Sequence, residues 1–233
     1  MSLALNYVFY KKAFIPLHEL RLNPLELNVY PSQTEAKSTD HTPTFMYYGD
    51  SRALSWPFVK DSRYEFMNRA IGNQTSVQIN ARFEQHVAPH KPQIILFQMC
   101  VNDLKMIPLF PEKRQEIIDN CLSNTQSMVQ KSHDMGAKVV LSTVFPLADV
   151  SLDRQLLGIK EQPIIEAINQ VNQRLKSLQS ENTLIFDSYH LLVGDDGKVD
   201  ASYSHDWLHL SPAGYKHLNQ HLSTFISKAF AES

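Results

Sequence analysis

The sequence predicts an α/β fold in which a parallel sheet lies between two layers of helices, and three observations carry that reading. From Thr44 onward, short apolar runs alternate with longer amphipathic ones, five times over. Most of the short runs are rich in β-branched and aromatic residues and apolar on both faces, as strands covered from both sides are. Strand–helix alternation of this kind makes neighbouring strands parallel, each joined to the next by a crossover helix. The 233 residues contain no internal repeat and no low-complexity tract. One domain over residues 44–233 is therefore expected, with 1–43 as an extension packed on it.

In chain order, Tyr7–Phe14 and Leu20–Tyr30 carry apolar residues without a clean period and are interrupted by Pro16, Pro24 and Pro31, and the polar stretch Ser32–Pro43 reads as a loop. The expected strands are Thr44–Tyr48, a weaker Glu65–Ile71, Gln93–Met99, Ala137–Val144 and Thr183–Asp187. The helical patterns between and after them are Ser51–Val59, Thr75–His86, Pro111–Met135, Pro163–Ser180 and Pro212–Phe230. Proline at the first position of three of these suits the first helical turn, and Gly136 directly after Met135 supplies a stop.

Composition narrows the function. With 43% hydrophobic and 20% charged residues the chain reads as an ordinary globular protein. Its 22 basic and 24 acidic residues are scattered without blocks, which argues against nucleic acid or an anionic membrane as partner and leaves a small molecule. No run approaches the roughly 20 apolar residues of a membrane span, so no stable membrane insertion is expected. No signal peptide is visible, which makes the cytoplasm the default expectation, or the periplasm or exterior if a leader lies upstream. Cys100 and Cys121 are too few for a disulfide framework, lack the spacing of a zinc site, and read as buried thiols.

In a parallel α/β sheet the ligand crevice forms at the carboxyl ends of the strands. Four polar clusters fall there: Gly49-Asp50-Ser51, Ile71-Gly72-Asn73-Gln74-Thr75, Cys100-Val101-Asn102-Asp103 and, past the last strand, His205-Asp206-Trp207-Leu208-His209. A serine nucleophile needs a base, the base needs an orienting group, and the oxyanion needs preorganised donors. Ser51, His209 and Asp206 can supply the first three roles. The Ser51 and Gly72 N–H groups and the Asn102 amide can supply the donors. Asp206 stands three residues before His209, close enough for its carboxylate to meet one imidazole nitrogen while the other faces Ser51.

Taken together these blocks resemble the SGNH hydrolase superfamily, the GDSL-type esterases and lipases. Ser51, Gly72, Asn102 and His209 match the four residues that name it, in order, and Asp206 fits its Asp-x-x-His block. The resemblance spans Thr44 to about Gly214. It implies a flavodoxin-like three-layer α/β/α sandwich around a five-stranded parallel sheet, and a cofactor-free serine esterase acting on acetyl or short-chain acyl esters of carbohydrate or lipid through an acyl-enzyme. Acyl transfer or thioester hydrolysis on the same triad, or a non-catalytic binding module that kept the fold, are the alternatives, and turnover of a chromogenic ester separates the last from the rest. The sequence departs from the family pattern at Arg52, where the eponymous motif has Leu, and at Cys100, where the third block has Gly. The loops Lys105–Pro111 and Pro146–Gln162 are expected to set the size of the acyl pocket.

Other polar residues have plainer readings. Asp50 and Asp103 sit where caps or supporting hydrogen bonds are needed. His217 and His221 lie at i, i+4 on the final helix but lack a third metal ligand, and Asp195, Asp196 and Asp200 around Gly194 and Gly197 miss EF-hand spacing and suit a hairpin or surface turn. Cys100, next to an apolar strand with no nearby cation, reads as inert rather than nucleophilic.

Overall fold

In the computed structural model, which describes residues 6–8, 10–30 and 42–230, five parallel strands form one sheet in the order β2-β1-β3-β4-β5. The strands are β1 (Thr44–Gly49), β2 (Glu65–Asn68), β3 (Ile94–Gln98), β4 (Lys138–Ser142) and β5 (Thr183–Phe186). The central strands β1 and β3 are buried throughout, whereas β2 is a short, partly exposed edge strand, which is why its sequence signal is weak.

The helices, in chain order, are α1 (Ile15–Leu22), α2 (Ser51–Leu54), α3 (Ser76–Ala81), α4 (Phe83–His86), α5 (Val101–Leu104), α6 (Arg114–Asp134), α7 (Leu152–Leu156), α8 (Glu161–Lys176), α9 (Ser188–Leu192) and α10 (Pro212–Ala229). Side chains alternate across the sheet. Met46, Tyr48, Ile95, Phe97 and Leu141 face α3, α4, α6 and α8, while Phe45, Tyr47, Ile94, Leu96 and Val140 face Trp56, Phe145 and α10. Two apolar cores separated by one sheet make the three-layer sandwich.

Several boundaries differ from the sequence expectation for local reasons. The helix expected over Ser51–Val59 stops at Leu54, because Pro57 pushes the preceding residue out of helical backbone and forces the chain to turn. The segment expected as one helix over Thr75–His86 is two, broken at Arg82, whose guanidinium turns inward to the carbonyls of Arg69 (2.7 Å) and Gly49 (3.0 Å) and to Gln74 Oε1 (2.6 Å). Pro16 does not interrupt a helix but sits in the first turn of α1, where the missing N–H costs nothing. Gly136 takes left-handed backbone just past α6, as a helix stop requires. The loop expected at Ser32–Pro43 lies almost wholly outside the described residues. The Asp195–Asp200 segment closes on itself, with Val193 bridged to Val199 and Gly194 N–H donating to Lys198 O.

The cysteine expectation needs correcting. Cys100 and Cys121 are not free thiols: they form a disulfide, with their Cα atoms 5.8 Å apart. Cys121 faces inward from α6, and α6 packs on α5 just beyond β3, so tertiary packing joins two residues whose spacing carries no motif. Cys100 also has φ of +82°, the left-handed backbone that explains why a glycine suits this position; here a cysteine holds it and is stapled to α6.

Candidate active site

Ser51 opens α2 at the carboxyl end of β1, and the turn that presents it depends on Gly49. A Cβ at Gly49 would lie 1.8 Å from the Gln98 carbonyl oxygen, in the strand paired alongside. Asp50 then caps α2 by accepting the Arg52 N–H at 2.9 Å. Its other carboxylate oxygen is buried without a hydrogen bond.

Ser51 Oγ is 2.9 Å from His209 Nε2, and His209 Nδ1 is 2.8 and 3.1 Å from the two oxygens of Asp206. A carboxylate can only accept, so Nδ1 carries the proton and Nε2 is left as the acceptor for the serine hydroxyl. Asp206 Oδ1 also accepts the N–H groups of Leu208 (2.8 Å) and His209 (2.7 Å). Partial burial alone would raise the Asp206 pKa, but these hydrogen bonds outweigh it and hold the carboxyl below its ordinary value.

The loop bearing His209 is tied to the rest of the fold by Arg52. Its fully buried guanidinium donates to Leu208 O at 2.7 Å, Phe145 O at 3.0 Å and Pro146 O at 3.3 Å, and Ala148 N–H donates to Trp207 O at 3.1 Å. The residue that departs from the eponymous motif thus joins α2 to the loop that carries His209. Its side chain is 156 positions from Leu208 in sequence, so no local pattern announces this.

Gly72 lies directly beside Ser51: a Cβ there would be 3.8 Å from Ser51 Cβ. Asn102, in α5, donates from Nδ2 to Gln74 O at 3.0 Å, which leaves its second amide proton for another acceptor. Its Oδ1 accepts Lys105 Nζ at 2.6 Å, and Lys105 also reaches Asn73 Oδ1 at 3.2 Å. Lys105 was not singled out in the sequence, although its place one helical turn after Asn102 is a usable signal. Asp103 accepts both the N–H (2.9 Å) and hydroxyl (2.6 Å) of Ser76, docking α3 onto α5. His217 stacks on Tyr203 with centroids 4.8 Å apart, and no cluster of three His, Cys, Asp or Glu among the described residues is arranged to hold a metal.

Burial pushes the Asp50 carboxyl up to about 6, against the pull of Arg52. A folded state that holds a proton the unfolded chain has released loses stability as pH rises, here from about 4 to about 6. Asp103 is pushed up to about 6 by the same cause and adds to the slope. Asp50→Asn keeps the cap acceptor but removes one titration. Its stability, from denaturant midpoints, should fall less across this window than wild type, by up to roughly 3 kcal/mol. Superimposable curves would contradict the assignment.

Two clefts lie near the Ser51 turn, one reaching it through Asp206 and the other through Gly72. One, of about 520 Å³, lies on the Asp206 side and is lined by the acidic Asp149, Asp196, Asp200 and Asp206 together with Ala148, Val199 and Trp207. The second, of about 560 Å³, opens beside Gly72 and Asn73 and is walled by α1.

The chain matches the model of the GDSL-like lipase/acylhydrolase family over residues 36–217. A Bacteroides fragilis protein assigned as an acylhydrolase superposes with a TM-score of 0.71 at 24% identity, covering 88% of this chain and 97% of its own. A GDSL-like lipase from Bacteroides thetaiotaomicron gives 0.69 at 19% identity, with 88% and 98% covered. A catalytic mutant of an acetylxylan esterase from Geobacillus stearothermophilus gives 0.54 at 16% identity, with 80% and 94% covered. No curated protein matches the chain. The chain belongs to the GDSL-like lipase/acylhydrolase family and is a hydrolase acting on ester bonds. Its fold is the α/β SGNH hydrolase fold.

Proposed function

We propose that Ser51 is the nucleophile of this esterase, His209 its general base and acid, and Asp206 the group that orients His209. The observation that carries this is the unbroken hydrogen-bond chain from Ser51 Oγ through both nitrogens of His209 to Asp206. Ser51 Oγ attacks the ester carbonyl carbon as its proton passes to His209 Nε2. The tetrahedral oxyanion is held by the Ser51 and Gly72 N–H groups and by Asn102 Nδ2. When the intermediate collapses, His209 returns the proton to the leaving alkoxide, and water then attacks the acyl-enzyme by the same route. The hydrogen-bonding side chains of Asp149, Asp196, Asp200 and Ser204 in the cleft beside Asp206, with Trp207 as an apolar face, favour a carbohydrate or other polyol as the alcohol. The Cys100–Cys121 disulfide favours an oxidising compartment over the default cytoplasmic expectation.

Asn102→Ala tests the oxyanion role. A donor that strengthens only as charge develops affects kcat, so the variant should lose roughly 10²–10³ in kcat on a short-chain chromogenic ester, with little change in KM. Lost stability with kcat within about threefold of wild type would make Asn102 a turn-closing residue instead.

A further inference from the structure

Helix α1 has an apolar stripe with nothing apolar beneath it. Pro16, Leu17 and Leu20 of α1, with Ala13 in the π-helical segment Tyr10–Phe14 just before it, share one side of the helix, the kind of stripe that normally lies on a core, yet α1 buries none of its side chains. Leu17 is 49% and Leu20 46% exposed. The stripe instead forms the apolar wall of the cleft of about 560 Å³, whose other lining is polar, with Asn73, Gln74 and Gln78 around Gly72 and with Glu19, Asn23 and Glu26 at its side.

The helix is held in place by the chain that follows it. Gln78 Nε2 donates to Pro24 O at 2.7 Å, Gln74 Nε2 to Leu25 O at 3.1 Å, and Tyr30 OH to Ala70 O at 2.9 Å. Gln74 is in turn fixed by Arg82, which also binds Gly49 O next to the nucleophile. Arg82 and Gln74 therefore link the Ser51 turn to the segment that follows α1.

The chemistry assigns the two clefts. A leaving alkoxide must take its proton from His209, so the alcohol lies on the His209–Asp206 side. The acyl substituent of the same carbonyl then points the other way. In the sheet order β2-β1-β3-β4-β5, Gly72 follows β2 on one side of β1, whereas Ala148, which lines the cleft beside Asp206, follows β4 on the other. We propose that the cleft between α1 and the Gly72 turn is the acyl-chain site, that Leu17 and Leu20 are its selectivity residues, and that it takes esters of medium-chain acids rather than acetate alone. This rests on Ser51 being the nucleophile. From Ala13 to Leu20 the stripe runs about 10 Å along the helix, the reach of an octanoyl chain. The wall comes from α1, not only from the loops Lys105–Pro111 and Pro146–Gln162 expected from the sequence.

The test compares kcat/KM for p-nitrophenyl octanoate with that for p-nitrophenyl acetate, the leaving group being common to both. Each methylene withdrawn from water favours binding by roughly fourfold, so wild type should prefer octanoate, and the ratio should fall at least about tenfold in Leu17→Gln/Leu20→Gln. Leu22→Gln, on the same helix but 87% exposed and outside the cleft, should leave the ratio unchanged. If the double variant unfolds, Leu17→Trp fills the cleft without adding polarity and should lower the same ratio. An unchanged ratio in a folded variant, or a wild type that cleaves acetate but not octanoate, overturns the acyl site while leaving Ser51 in place. Hydrolysis of neither ester, with Ser51 unlabelled by a serine-directed phosphonate, removes the nucleophile assignment and the acyl site together.

Discussion

Ser51→Ala should lower ester hydrolysis by at least about 10⁴-fold while leaving a folded protein. In the proposed mechanism the hydroxyl forms the acyl-enzyme, and Cys100, the cysteine nearest in the blocks, cannot replace it because it is oxidised to a disulfide with Cys121. The structural cost is small. Ser51 Oγ makes one side-chain hydrogen bond, to a partly exposed histidine, and such a bond contributes about 1 kcal/mol to stability. Measuring kcat/KM and the thermal midpoint on one preparation separates the two effects. A folded variant with more than a trace of activity would remove Ser51 from the nucleophile role.

Gly49→Ala should have the largest effect on stability. The added Cβ would sit 1.8 Å from the carbonyl oxygen and 2.8 Å from the carbonyl carbon of Gln98, both backbone atoms, at a φ of +152°. Neither side can yield easily: Gly49 is registered against Gln98 between two fully buried strands, and the Asp50 N–H donates to that same carbonyl at 3.1 Å. A loss of about 4 kcal/mol or more is expected, enough to leave much of the chain unfolded. Gly72 provides the contrast, since a Cβ there meets nothing closer than 3.8 Å. Denaturant midpoints for Gly49→Ala within about 1 kcal/mol of wild type would mean that β1 and β3 can separate locally, against the packing described here.

The sheet was legible because its four better strands are short, apolar on both faces and separated by amphipathic helices, a pattern set by local burial. The candidate site was legible for a related reason. Parallel strands end on one edge, so Ser51, Gly72 and Asn102 converge there by topology, while Asp206 and His209 meet by local spacing. What sequence did not show depends on contacts distant in the chain. Arg52 reads as a small departure from a motif until its guanidinium is seen on Leu208, Phe145 and Pro146. The disulfide needs α6 packed on α5, just past the end of β3. Helix α1 has a periodic stripe, but Pro16 looks like a breaker until it is placed in a first turn.

The most direct test of the central claim is labelling by a serine-directed alkyl phosphonate, followed by mapping of the modified peptide. Phosphorus traps the tetrahedral geometry that the oxyanion donors serve, so the label reports nucleophile, base and donors in one reaction. A single adduct at Ser51, formed in step with loss of esterase activity and absent from Ser51→Ala, is the predicted result. An adduct on another residue, or full ester turnover by protein that takes no label at Ser51, would contradict it.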